Sequence, residues 1–188
     1  MQLLPKDIHY AAKHIGEASL SERTLDMSIN NIKVFQDSGK VDVRLVERFE
    51  RQFGVVFPEQ YKKFICEHNA AYLDNEYFNF FSPEQGVIDT TSIWFLGFGS
   101  AEGLVIESED IINNQNYDVY GYDNLITFGR NGGGDYICFD YKGSEKQGQP
   151  KVIFMRHDDY DDTNKMRTFE VSDNFDNFCN LLYEWEDE

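Results

Sequence analysis

The sequence predicts one α+β domain in which a mostly antiparallel central sheet is flanked by helices. Three observations carry this. Apolar residues repeat at helical spacing around Val46, around Phe64 and again after Ser172. Between the second and third of these stretches, short apolar runs are cut by Gly, Asn and Asp, the pattern of strands and turns. Finally, 188 residues with 41% hydrophobic and 15% aromatic side chains are enough for one core that stands without disulfides or metals.

The elements follow in chain order. Residues 1–40 hold one short helical pattern (Ile8, Ala11, Ala12, Ile15) and then a Ser-, Asn- and Asp-rich run; they are expected to form an extension packed on a domain spanning 41–188. Asp42 is a good N-cap, Leu45, Val46, Phe49 and Phe53 share one helical face, and Gly54 ends the helix. Pro58 suits the first turn of a second helix, on which Tyr61, Phe64, Ile65 and His68 repeat at amphipathic spacing. Trp94–Phe98 and Leu104–Ile106 read as strands, and Ser108-Glu109-Asp110 as the cap of a short helix through Ile112. Leu125–Phe128 and Asp135–Tyr141 bracket Gly132-Gly133-Gly134, which predicts a hairpin with a permissive loop. Val152–Met155 and Phe169–Val171 add strands, and Ser172 is placed to cap a closing helix bearing Phe175, Phe178, Cys179 and Leu182.

Charge narrows the partner class. The net charge is −17, and it falls entirely after residue 40. Between Lys63 and Arg130 lie 66 positions without a Lys or Arg but with 11 acids. Such segregation works against phosphate-bearing surfaces, so neither nucleic acid nor membrane is an expected partner. The N-terminus lacks the basic start and apolar run of a secretory signal, no apolar stretch is long enough to span a bilayer, and a cytoplasmic location is expected. Cys66, Cys138 and Cys179 are widely spaced in apolar surroundings and read as reduced core residues.

Catalytic and metal chemistry finds little support. The Gly-rich run leads into a strand, not a helix, which favours a structural turn over a phosphate cradle. His9, His14, His68 and His157 have no ligand spacing, Cys66 and His68 diverge on a helix, and no Gly-x-Ser-x-Gly elbow occurs. Asp135 and Asp140, five apart along a strand, project to opposite faces. The run Asp158-Asp159-Tyr160-Asp161-Asp162 lacks the ligand order of a calcium loop and reads either as a solvated loop or as an aromatic anchor ringed by carboxylates, facing an Arg/Lys-rich partner. No cofactor is expected, and no enzymatic activity.

The helix Val46–Gly54, the segment Phe57-Pro58-Glu59-Gln60-Tyr61-Lys62-Lys63-Phe64-Ile65 and the hairpin from Phe128-Gly129 to Gly134–Tyr141 together resemble the SUKH superfamily, which includes fungal cell-wall-synthesis regulators and bacterial immunity proteins. The likeness covers residues 41 to about 185. This chain departs from the family at Asn69-Ala70-Ala71, where glycines often follow the His-Asn pair. The resemblance implies a SUKH-like fold and an immunity protein (antitoxin) that neutralises the C-terminal domain of a polymorphic or contact-dependent growth inhibition toxin, a basic protein such as a nuclease. The acidic charge adds occlusion of a cationic active site, with toxin contacts expected at Asp158, Asp159, Tyr160, Asp161, Asp162, Glu102, Glu107, Glu109, Asp110 and Trp94, and a monomer or weak dimer is expected. The alternative is a regulatory interaction module of the cell-wall-synthesis type.

Overall fold

The computed structural model describes residues 29–99, 105–107, 122–143 and 148–186. Helix α1 (Val43–Phe53) starts where Asp42 accepts a hydrogen bond from the Arg44 amide, and it ends at Gly54, whose left-handed φ of 63° only glycine adopts without strain. Arg44 also clamps the Asp42 carboxyl and holds it well below the usual carboxylate range, at about 2. The link to the next helix is tied by the Phe57 amide, which donates to Glu50 Oε1 at 2.7 Å. Pro58 stands at the cap itself, one residue earlier than the sequence predicts, and α2 runs from Glu59 to Glu67.

Short strand β1 (Val34–Gln36) pairs antiparallel with β2 (Tyr72–Leu73), and β3 (Tyr77–Ser82) pairs with β4 (Val87–Ser92) as a hairpin. The main sheet is antiparallel and five-stranded, in the order β5 (Trp94–Phe95), β6 (Leu125–Arg130), β7 (Tyr136–Asp140), β8 (Lys151–Tyr160), β9 (Met166–Ser172). Closing helix α3 spans Phe175–Cys179. The β6–β7 hairpin forms where the sequence places it, around a turn in which Gly134 takes φ 94°.

Three expectations are corrected. The strand at Trp94 ends after Phe95, and beyond it Gly97 makes an isolated parallel bridge with Val105. The closing helix is capped by Asn174, whose side chain accepts from the Asn177 amide; Ser172 is still in β9 and its hydroxyl donates to the Asn174 carbonyl. Cys138 and Cys179 are buried thiols as expected, with burial pushing Cys138 up to about 12, but Cys66 is only half-buried. Leu104 and the cap predicted at Ser108 lie outside the described residues.

One face of the sheet carries most of the aromatic packing. Register places Phe139 opposite Val152, Ile137 opposite Phe154 and Phe154 opposite Phe169, so these side chains share a face. Over its β6–β7 half lie Phe57, Tyr61 and Phe175; over its β8–β9 half lie Phe78 and Phe80 of β3, and Phe178 of α3 packs between Phe78 and Phe128 of β6. The β3–β4 hairpin thus continues the layer that the helices begin. Fully burying each ring contributes about 1.5–3 kcal/mol, so this layer dominates folding.

Tyr61 is an exception within that layer. Its hydroxyl is buried and among the described residues has no hydrogen-bond partner, and burial drives its ionisation far up. An orphaned buried hydroxyl costs about 1–3 kcal/mol. Tyr61→Phe keeps the ring and deletes the orphan, so its urea midpoint is expected to rise by the equivalent of about 1 kcal/mol with the slope unchanged.

Candidate functional site

Strand β8 outruns its neighbours. Met155 pairs with Tyr136 of β7 and with Thr168 of β9, yet the next β9 pairing is Tyr160 with Met166. Arg156, His157, Asp158 and Asp159 therefore bulge out opposite the single residue Arg167. The acidic run, which the sequence reads either as a solvated loop or as a recognition anchor, is through Tyr160 the bulged end of this strand: Asp158 takes a positive φ of 59°, and only Asp161 and Asp162 enter the turn to β9.

The bulge is organised by two arginines. Arg167 Nε donates to Asp159 at 3.1 Å, and its guanidinium also reaches Glu84 and the Tyr160 carbonyl. Arg156 lies over the rings of Phe80 and Phe169, donates to Asp89 of β4 at 2.9 Å and stands 3.9 Å from Asp159. His157 sits between two carboxylates, Nδ1 at 3.2 Å from Asp135 and Nε2 at 2.9 Å from Asp158. Asp161 closes the turn by accepting from the Thr163 hydroxyl and the amides of Thr163 and Lys165, and these bonds hold its carboxyl below the ordinary range. Asp159 and Asp161 are thus spent inside the structure, while Asp158 and Asp162 project outward.

The β6–β7 turn lies beside this bulge. Asn131 Oδ1 accepts from the Gly133 and Asp135 amides, and its Nδ2 donates to Asp135 and to Thr91 of β4. A methyl group on Gly132 would stand 3.7 Å from the Trp94 indole, and one on Gly134 would stand 3.3 Å from the His157 ring. The turn is therefore sandwiched between Trp94 and His157, which joins Trp94 to Asp158 along one end of the sheet. The indole Nε1 donates to Glu76 at 3.1 Å, and its ring packs 5.4 Å from that of Tyr72.

The other residues expected at the site fall elsewhere. Glu107 follows the Gly97–Val105 bridge and pairs with Arg48 of α1 at 2.9 Å, not with the β8 bulge. Glu102, Glu109 and Asp110 lie outside the described residues. Arg156, Arg167, Asp89 and Glu84 were not anticipated; strand parity was the available signal, since Arg156 is two residues from Phe154 and Arg167 two from Phe169.

Asp135 and Asp140 occupy opposite ends of β7, the first held by His157 and Asn131, the second by Asn124 and the Lys142 amide. Among the described residues no group of three His, Cys, Asp or Glu could hold a metal ion, and no helix is long and apolar enough to cross a membrane. A 460 Å³ concavity beside Tyr122 has polar walls, but there Asn124 bonds Asp140, and Lys151 satisfies Glu170, so these groups pair with each other instead of converging on the space.

The β8 bulge thus sets paired charges around an aromatic sheet end. No curated protein matches the chain. The family model described as SMI1 / KNR4 family (SUKH-1) matches residues 40–181, across the three helices, the hairpins and the five-stranded sheet just described, and the chain belongs to that family.

Proposed function

We propose that this protein is an immunity protein that binds the toxic C-terminal domain of a polymorphic or contact-dependent toxin and blocks a cationic active site with its acidic surface. Family membership supports an immunity-like or SMI1/KNR4-type interaction module. The observation that carries the narrower reading is the charge distribution: 66 consecutive positions without a cation, within a chain of net charge −17. A field of that size steers a basic partner and repels nucleic acid. Asp158 and Asp162 are the members of the β8–β9 run that face outward, with Tyr160 (36% exposed) between them in sequence.

The test is co-expression with the toxin domain encoded by the neighbouring gene, scored by survival and co-purification. Association should slow by at least about tenfold as salt rises and the screening length shrinks to about 8 Å. The charge reversals Asp158→Lys and Asp162→Lys should likewise lower the association rate with little change in dissociation. An association rate indifferent to salt would remove the electrostatic part of the reading.

A further inference from the structure

The β3–β4 hairpin buries one face and exposes the other. Phe78 and Phe80 point into the core. On the opposite face Phe81 and Ile88 are paired directly across the two strands, and they are 54% and 73% exposed. Toward the other end of the same face Tyr77 packs against Trp185, itself 58% exposed, at 5.5 Å between ring centres. Between these apolar ends the Thr90 hydroxyl and the Tyr183 hydroxyl both donate to Asn79 Oδ1, at 2.8 and 3.0 Å, which fixes the middle of the face. Aromatic and large aliphatic side chains held on a rigid strand pair have the composition of an interface centre, and an apolar group this exposed is uncommon on a surface without a partner.

The hairpin also leaves an edge open. Tyr77 of β3 exchanges both main-chain hydrogen bonds with Tyr183, so the chain's own C-terminal segment covers that edge. Strand β4 pairs only with β3, and among the described residues the one other bond to its main chain over Val87–Ser92 is local, the Thr90 amide donating to Asp89 Oδ1 at 2.9 Å. An unpaired edge beside an apolar face is the geometry that accepts an added strand.

Charge decides which strand. Residues 77–92 contain Glu84 and Asp89 and no Lys or Arg, and Glu184 and Glu186 flank Trp185. Arg156 and Arg167 of the sheet reach the hairpin and pair with Asp89 and Glu84, and Lys33 pairs with Glu184, so the field at this face is set by the net charge of the whole chain. A second copy would set −17 against −17, whereas a basic segment gains from the same field.

We propose that the outer edge of β4 and the Phe81–Ile88 face are a docking site for an extended segment of a basic protein, in which apolar side chains alternate with Arg or Lys. The segment adds antiparallel or parallel to β4, lays its apolar side chains on Phe81 and Ile88 and leaves its cations to the acidic surroundings. The proposed immunity function enters only in naming the owner of that segment as the toxin domain.

Two probes test it on the full chain, the neighbouring-gene toxin domain and a synthetic peptide of alternating Val and Arg, with an alternating Val and Glu peptide as control. The double variant Phe81→Thr, Ile88→Thr keeps strand propensity, and its urea midpoint is measured first to show that it folds. The expected result is toxin-domain affinity weakened about 100-fold by the double variant, with amide exchange slowed over residues 87–92 by the domain and by the Val/Arg peptide but not the Val/Glu peptide.

Equal affinity of wild type and variant, or protection confined to other strands, overturns the docking site while leaving the immunity reading intact. Failure of the domain to bind, with protection by the Val/Arg peptide, overturns the immunity reading and keeps the docking site. Failure of both probes overturns both. Protection of 87–92 in the isolated chain also overturns the proposal: it assigns the edge to a second copy where it grows with protein concentration, and to the chain itself where it does not.

Discussion

Replacing Phe139 with alanine is expected to lower folding stability by about 3–5 kcal/mol, a large share of what a domain of this size holds. The ring stacks on Phe128 at 4.0 Å between centres and lies 5.1 Å from Tyr61 and 5.9 Å from both Phe57 and Phe175. It therefore joins the β6–β7 hairpin, the entry and first turn of α2, and α3, three parts of the chain that are far apart in sequence. Truncation loses the transfer free energy of the ring and leaves a void that the surrounding rigid aromatics cannot fill by changing rotamer. Urea unfolding should show a lower midpoint with an unchanged slope. Tyr160→Ala, at the exposed end of β8, should move the midpoint by no more than about 0.5 kcal/mol. Partner binding by the Phe139 variant should fall only as the folded fraction falls, because the ring is fully buried and touches no surface a partner can reach. A Phe139→Ala midpoint within about 0.5 kcal/mol of wild type would show that the aromatic layer does not hold the two halves of the chain together.

Elements whose determinants are local could be read directly from the sequence. Asp42 and Gly54 bound α1 because a cap and a left-handed terminus each depend on one residue and its immediate neighbours. The Gly-rich turn between β6 and β7 is legible for the same reason. The β3–β4 hairpin was not identified strand by strand, although Tyr77–Ser82 alternates buried and exposed residues; its exposed positions are Asn79 and Phe81, and an aromatic on the open face hides the period of two. The strand inside the acidic run is hidden for a different reason. Aspartates argue for a loop by propensity, but here Arg167, remote in sequence, gathers Asp159 and Glu84 and keeps the bulged strand in the sheet. Tertiary ion pairing of this kind leaves no trace in local composition, so the sequence overstates how many of those carboxylates are available to a partner.

Asn69 marks the second site where one substitution should cost heavily. Its side chain is buried and serves both main-chain groups of Phe98: Oδ1 accepts from the Phe98 amide at 2.8 Å, and Nδ2 donates to the Phe98 carbonyl at 3.0 Å. Its own main chain bonds Ser38 and Gly39, and next to it His68 Nδ1 meets Asp37 at 2.7 Å. One residue thus ties the segment before α1, the end of α2 and the chain leaving β5. Asn69→Ala leaves a buried N–H and a buried C=O unpaired at about 1–3 kcal/mol each, so a loss of about 2–5 kcal/mol is expected. The following Ala70 adopts φ 51°, and its neighbour in space explains how its side chain fits: a methyl group on Gly97 would fall 2.7 Å from Asn69 Oδ1, 2.8 Å from Ala70 Cβ and 3.0 Å from the Ala70 nitrogen. Gly97 thus leaves room for the Ala70 side chain and the Asn69 amide. Gly97→Ala should therefore be destabilising by itself, and the pair Asn69→Ala, Gly97→Ala should lose less than the sum of the two, because the first removes part of the clash the second creates. Strict additivity in a double-mutant cycle, or an Asn69→Ala midpoint within about 0.5 kcal/mol of wild type, would mean that Phe98 finds other partners and that the junction is not held by this side chain.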